Sequence, residues 1–302
     1  MAGDVAGNLN VVAKALRALS LVDLKAVAAK MNNKITTLAI PEAKAKLMRT
    51  MFHDVIAMIG TNPAVMLVKE HIMDTTMVDN VQAISMIQSA LTAVRTPTLE
   101  LITELITLVK TNLKPLAAER TILYNIAIVQ TSNLIHKSCI CPSKSSLFPE
   151  RIFGVFCTKE SEPVTQWIDF LKQELETSQN EQIKLNIVTA LGKIGHTKAA
   201  KILSAIISNV QYNEMVRSLA VYSLQRVAKL EPARVKPILM TIIENIAERP
   251  EVKTKKKIHQ NIGTYLKKNN DFFFKFQVRI AAVAVLPHAQ PSIMELKMIA
   301  VR

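Results

Sequence analysis

The sequence is poor in glycine and in aromatic residues, and it lacks the short motifs that mark most enzymes. Only 7 of its 302 residues are glycine, and 5% are aromatic. It contains no glycine-rich phosphate loop, no Gly-x-Ser-x-Gly elbow, no His-Glu-x-x-His metal motif and no carboxylates paired at a convergent spacing. We therefore expect neither an enzyme nor a bound cofactor.

Long apolar runs are also absent. No uncharged segment reaches the roughly 18 apolar residues that a membrane-spanning helix needs, and the nearest, Asn80–Val94 and Thr121–Ile135, contain polar residues. The amino terminus, Met1–Asp4, has neither a basic flank nor an apolar stretch, so we do not interpret it as a secretory signal. These absences predict a chain without a membrane span that is either intracellular or a fragment of a longer protein.

What the sequence has instead is a repeated apolar pattern. Ile183–Leu191, Val216–Leu224 and Val278–Leu286 align apolar residue on apolar residue, with a base in second place, at intervals of 33 and 62 residues. Each copy is followed by a second apolar pattern of helical period. Because a lone helical hairpin cannot bury its apolar face, such units stack on their neighbours. The repeat predicts an all-α fold, a two-layer right-handed α-solenoid that makes 1–302 one helical domain.

Prolines at helix starts divide the chain further, with caps expected at Asn62, Thr96 and Ser161. The resulting pattern predicts fourteen helices near 8–19, 21–31, 41–59, 63–73, 80–93, 97–112, 115–136, 163–176, 181–194, 197–208, 213–229, 232–247, 278–286 and 291–301.

Several short motifs occur in a characteristic order. They are Gly60–Ala64, Arg95–Thr98, Ser132–Lys137, Ala190–His196 and Val278–Val283. In order and spacing they resemble the helical module of the vitellogenin and large lipid-transfer protein family. The resemblance implies a horseshoe superhelix of antiparallel helical hairpins that clasps lipid-carrying β-sheets in a secreted yolk or circulating lipoprotein.

By this resemblance, the chain is the helical module of a lipid-transport and nutrient-storage lipoprotein. Its lipid partner would be held by neighbouring β-sheets that are absent from these residues, so the chain should not hold a lipid load alone. The resemblance also implies an extracellular location, and a homodimer is a further expectation. The alternative hypothesis is a free-standing helical-repeat scaffold that binds nucleic acid or an anionic membrane.

Segment 137–161 contains every cysteine and is expected to be an ordered loop that buries Phe153 and Phe156. Four potential zinc ligands lie in or beside it: His136, Cys139, Cys141 and Cys157. The Cys-x-x-Cys spacing of zinc knuckles is missing. The alternative is one disulfide from Cys157 to Cys139 or Cys141, which agrees with the secreted location that the resemblance implies. Which cysteines pair is left open.

The formal net charge of +14 favours an acidic partner such as nucleic acid or an anionic lipid surface. Six bases of the repeats are candidates for one phosphate-contacting edge: Lys184, Lys193, Lys198, Lys201, Arg217 and Arg226. A merely solvated face is the alternative. Aromatic residues do not interleave with these bases, so we expect polyanion or anionic-membrane binding to be weak and non-specific. His196, at a turn between helices, is expected to cap a helix or to bond a carbonyl.

The segment Val252–Gln277 differs in composition from the rest of the chain. It holds seven lysines, one acid and four of the nine phenylalanines, and it lies within the longer repeat interval. Without its 26 residues, that interval would be 36 residues, close to the other value of 33. Val252 is encoded by GT-codons, the Phe run is pyrimidine-rich and Gln277 can be CAG. We hypothesise a short intron translated in frame; an exposed basic insertion between repeats is the alternative.

Overall fold

The computed structural model describes residues 2–75, 78–139, 162–244 and 278–300, and these ranges contain helices and turns but no strand. Their contacts divide them into two units. The first unit comprises residues 2–75, 78–139 and 162–167, and the second comprises 168–244 and 278–300. The predicted loop at 137–161, apart from its first three residues, and the whole of 252–277 lie outside the described residues.

The first unit contains seven complete helices. A 3₁₀ turn, Leu16–Ala18, follows the first helix, and a π-helical turn, Leu108–Leu113, extends the sixth. The helices are α1 Ala2–Ala15, α2 Leu21–Thr37, α3 Glu42–Met58, α4 Asn62–Met73, α5 Asn80–Ala93, α6 Leu99–Thr107 and α7 Thr121–Cys139.

Packing in the first unit follows a simple alternation. From α2 to α5, each helix contacts the next helix in the sequence. Throughout the unit, each helix also contacts the second helix after it. As a result, α1, α3, α5 and α7 form one row of packed helices, and α2, α4 and α6 pack beside it. The apolar faces of these helices are closed on both sides, with Ile56, Ile72, Ile87 and Leu101 at most 1% exposed. This alternation is typical of stacked helical hairpins.

The second unit takes most of α8 (Glu162–Thr177), the helix that contains the boundary between the units. In it α9 and α10 form a hairpin, and α11 packs on both. The third sequence repeat is helical, as predicted, and it buries Val278, Ala281, Ala282 and Val285. The helices are α9 Glu181–Ile194, α10 Thr197–Ser208, α11 Glu214–Ser223, α12 Gln225–Leu230, α13 Pro232–Glu244, α14 278–285 and α15 Ile293–Ala300, with a 3₁₀ turn at Leu286–Ala289.

Several helix starts differ from the predicted ones: the first helix, expected at residue 8, begins at Ala2. The helix expected to begin at Pro97 under a Thr96 cap begins at Leu99, because the Thr98 hydroxyl accepts a hydrogen bond from the Leu101 N–H at 3.2 Å. The helix expected at Pro115 begins at Thr121. Between Pro115 and Thr121, several backbone N–H groups donate to the carbonyl three residues earlier, as Leu116 does to Leu113. This pattern makes turns rather than an α-helix. Likewise, Asn62 is the first residue of α4 rather than its cap.

Basic side chains close several helix carboxyl ends. Among the described residues, five of them donate to carbonyls in the last turn of a helix or just beyond it: Arg17 to Ile59, Arg120 to Ile72, Lys137 to Thr92 and Val94, Arg217 to Ile207, and Arg226 to Lys193. The last carbonyls of a helix have no partner within the helix and carry partial negative charge. Part of the excess positive charge therefore stabilises the fold.

Candidate anion-binding groove

A groove of about 380 Å³ lies on the second unit between α9 and the α11–α12 pair. Its floor depends on Gly192, which faces Ser223 at the end of α11. A Cβ at position 192 would lie 2.6 Å from the Ser223 Cβ, which is closer than real Cβ atoms come. Glycine thus allows α9 and α11 to approach closely at this level.

The helical run of the second repeat is interrupted beside the groove. The predicted helix 213–229 is divided at Leu224, which separates α11 from α12. Arg226 and Lys229 lie three residues apart on α12 and therefore share a helix face. That face lines the groove together with Lys193 from α9.

Arg226 is the fixed cation of the groove. It is half-buried and its Nη1 donates to the Lys193 carbonyl at the end of α9. Burial lowers the pKa of the Arg226 guanidinium, but an arginine keeps its charge in a protein. The bond to α9 occupies only part of the guanidinium. Because the Arg226 side chain lines the groove, its remaining N–H groups are the donors that it offers there.

Lys193 and Lys229 are the other two cations of the groove. Both are exposed, and within the described ranges neither has an ion-pair partner. Three hydroxyl groups line the same groove, those of Thr189, Tyr222 and Ser223, and no aspartate or glutamate is among the described lining residues. Cationic and hydroxyl donors without a carboxylate are suited to phosphate oxygens.

The six bases that the sequence predicts to form one phosphate-contacting edge lie in different environments. Only Lys193 and Arg226 line the groove. Lys184 pairs with Glu181 at 2.7 Å and Lys198 pairs with Asp169 at 2.7 Å. Arg217 is 5% exposed and bonds Glu214, whereas Lys201 is exposed on α10 and does not line the groove.

Sequence reasoning missed Lys229 and Tyr222. The spacing from Arg226 to Lys229 was the available signal for the lysine, because residues three apart share a helix face. Tyr222 falls within an apolar repeat of the sequence, yet it is 45% exposed at the groove. His196 behaves as expected: its Nδ1 accepts a hydrogen bond from the Lys198 N–H at 3.1 Å and caps α10.

The cysteine site stays a prediction. His136 lies on α7 and Cys139 ends that helix, while Cys141 and Cys157 lie outside the described residues. Over the described ranges, no group of three or more His, Cys, Asp or Glu side chains is arranged to hold a metal. No helix in these ranges is both long and apolar enough to cross a membrane.

Comparison with known proteins places this helical arrangement in a family. Residues 3–256 match the family model of the vitellogenin TPR domain. The chain belongs to the vitellogenin TPR domain family. A vitellogenin from Anthonomus grandis is 28% identical over 211 residues, which are 68% of this chain and 12% of that protein.

A solved structure describing lipid–protein interactions in lipovitellin has the same fold. The TM-score is 0.69 at 18% identity, and the match covers 98% of this chain and 25% of the lipovitellin chain. The family resemblance and the all-α solenoid fold predicted from the sequence are both confirmed. The chain spans about an eighth of the vitellogenin and a quarter of the lipovitellin that it matches.

Proposed function

We propose that the chain is the helical structural module of a vitellogenin-like lipid-transport and yolk-storage lipoprotein. In this role it clasps lipid-bearing β-sheets that the rest of the parent protein supplies. The observation that carries the proposal is the match of 98% of the chain to one quarter of a lipovitellin chain. The fold of this chain accounts for only that quarter, and the remainder offers the surface on which lipid would lie.

The described residues favour a scaffold over a lipid container. The interiors of both units are filled by close-packed side chains such as Tyr124, Trp167 and Leu203, each at most 1% exposed. The groove between α9 and α12 is cationic and hydroxyl-lined, whereas an apolar lipid is bound in a cavity with mainly apolar walls. The chain alone should therefore hold little neutral lipid.

Density-gradient centrifugation of native material tests this function. An antibody raised against the chain should detect a polypeptide several times longer, in the extracellular fluid or yolk, floating with lipid at lipoprotein density. The recombinant chain of 302 residues should sediment as lipid-free protein. A native antigen that is itself lipid-free and 302 residues long would contradict the proposal.

We further propose that the groove binds phosphate groups of anionic partners, as a second property of the module. Lys193, Arg226 and Lys229 converge there beside three hydroxyl groups, with no carboxylate in the described lining. An open groove of flexible lysines recognises charge rather than sequence. The binding should consequently be weak, non-specific and sensitive to salt.

A charge-matched pair of double variants tests the groove with tripolyphosphate as the probe. Lys193→Gln with Lys229→Gln should weaken binding about 10-fold at low salt, since each exposed charge contributes about 0.5–1 kcal/mol. Lys14→Gln with Lys201→Gln removes the same charge from exposed positions outside the groove and should change the affinity little. Equal losses in both variants would show attraction by net charge alone and would remove the groove proposal.

A further inference from the structure

Two histidines meet in the interior of the first unit. His53 on α3 is 0% exposed, and its Nδ1 lies 3.0 Å from the amide nitrogen of Gln82 on α5. His71 lies on α4, with its ring centroid 5.1 Å from that of His53 and the ring planes inclined by 62°. The His53 Nε2 and the His71 Nδ1 are both buried and have no hydrogen-bond partner among the described residues.

The charged groups on the surrounding helices leave this pair without a bonded counter-ion. Gln82, which contacts His53, is neutral. The acids and bases on the packed elements mostly bond one another: Lys25 of α2 with Glu70, Lys69 with Glu104 of α6, and Lys46 of α3 with Asp79 at the start of α5. Asp54 and Asp74 flank the pair in sequence, Lys14 of α1 is exposed, and Arg120 donates to the Ile72 carbonyl at 3.0 Å.

Proton uptake by this pair would be costly in the folded unit. An imidazolium has two N–H donors and a full charge, and a buried charge needs hydrogen-bond acceptors or a counter-ion. A second protonated ring 5.1 Å away would add repulsion between like charges. Opening the helices lets water solvate both rings and removes these penalties.

We propose that His53 and His71 form an acid-sensitive element, whose protonation loosens the packing of α3, α4 and α5 in the first unit. The neutral pair packs as an aromatic contact, and the protonated pair favours the opened helices. This regulation by acidity is separate from both the lipid-scaffold role and the phosphate groove.

The direction of the pH effect follows from the pKa of each group. Burial, reinforced by His71, lowers the pKa of His53 from 6.5 to about 4, and burial lowers the pKa of His71 although Glu70 and Asp74 act to raise it. The opened form therefore binds more protons than the folded form between pH 6.5 and about 4. Stability is full above this window and is lost as the pH falls through it.

Hydrogen exchange of the complete chain at pH 7 and pH 5, corrected for intrinsic exchange rates, tests the proposal. In the wild type, the opening constant of α3–α5 amides should rise more than about 20-fold, because a shift from 6.5 to about 4 at His53 alone gives about 20-fold and the lowered pKa of His71 adds to it. With His53→Gln and His71→Gln together, the rise should largely disappear. Any response of α9–α11 amides, where the His196 side chain caps α10, should be the same in both proteins.

Two further variants keep the test decisive. His288→Gln, in the second unit, should leave the acid response of α3–α5 unchanged. If the double variant does not fold, His71→Gln alone should give a rise clearly below that of the wild type. An undiminished rise in His71→Gln or in the folded double variant would overturn the proposal.

Discussion

The buried side chains of Arg217 and His53 differ in whether their nitrogen atoms have hydrogen-bond partners. In the second unit, Arg217 is 5% exposed, yet its Nε donates to the Ile207 carbonyl at 2.9 Å and its Nη1 to Glu214 at 3.0 Å. In the first unit, His53 is 0% exposed, and the described residues provide no partner for its Nε2.

The difference shows where this fold tolerates charge. A solenoid of helical hairpins exposes many helix carboxyl ends, and the carbonyls there accept bonds from bases on neighbouring helices. The flanks of the helices offer no such acceptors, because their backbone groups bond within the helix. A base at a helix end is thus stabilising, whereas a histidine between helix flanks is tolerated as a neutral ring.

Removing the partnered cation should have the largest effect. Arg217→Met removes the bonds of this guanidinium to the Ile207 carbonyl and the Glu214 carboxylate, and breaking such a buried pair costs about 3 kcal/mol. Urea unfolding should report this loss. Adding Glu214→Gln to Arg217→Met should restore part of it, since the carboxylate that lost this bond is then neutral; an Arg217→Met protein as stable as the wild type would contradict the contrast with His53.

A tight helix contact in the second unit comes next in size. Gly192→Ala places a Cβ 2.6 Å from that of Ser223 and should destabilise the unit by about 2 kcal/mol, as overpacking does. The matched change in the first unit is Gly7→Ala, where nothing lies within 4 Å of the new Cβ. It should be neutral or slightly stabilising, because alanine favours helix. Equal urea midpoints for the two variants would contradict the close approach of α9 and α11.

The smallest effect should come from removing the acceptor of one buried hydrogen bond in the first unit. Trp167 is 0% exposed, and its Nε1 donates to the Ser132 hydroxyl at 2.8 Å. Ser132→Ala should cost about 1.5 kcal/mol, because the buried N–H then loses this acceptor. Thermal unfolding followed by the fluorescence of this single tryptophan measures the loss; a Ser132→Ala protein as stable as the wild type would argue against the bond.

Much of the fold could be predicted because the buried apolar residues of stacked helical hairpins recur in the sequence with the helical period. Ile183–Leu191 and Val278–Leu286 were identified as repeats from their apolar spacing, and both are helical, the second passing into a 3₁₀ turn at its end. Pro97 predicts the start of α6, but the helix begins at Leu99, since proline marks a helix start only approximately and Thr98 supplies the capping hydroxyl.

The candidate sites were harder to predict because they depend on contacts between distant segments. Charge count alone gave Arg217 and Lys193 the same role, yet Arg217 is fixed to a carbonyl and Lys193 lines the groove. The meeting of His53 with His71 needs two helices to pack in one register. No local pattern in the sequence specifies that contact.

The hypothesis of a translated intron at Val252–Gln277 stays a prediction. The helix that follows, 278–285, buries Val278 at 0% exposure. Peptide mass spectrometry of the native protein should find a peptide that joins Glu251 directly to Val278. Abundant peptides from within Ile258–Lys267 would instead establish a basic insertion.

Cross-linking mass spectrometry of the native lipid-loaded particle tests the proposed scaffold role most directly. If this module clasps lipid-bearing sheets of a longer parent, exposed lysines of both units, such as Lys14 and Lys201, should cross-link to peptides that lie outside residues 1–302. Cross-links confined to peptides of these 302 residues, on a native polypeptide of that length, would contradict the account.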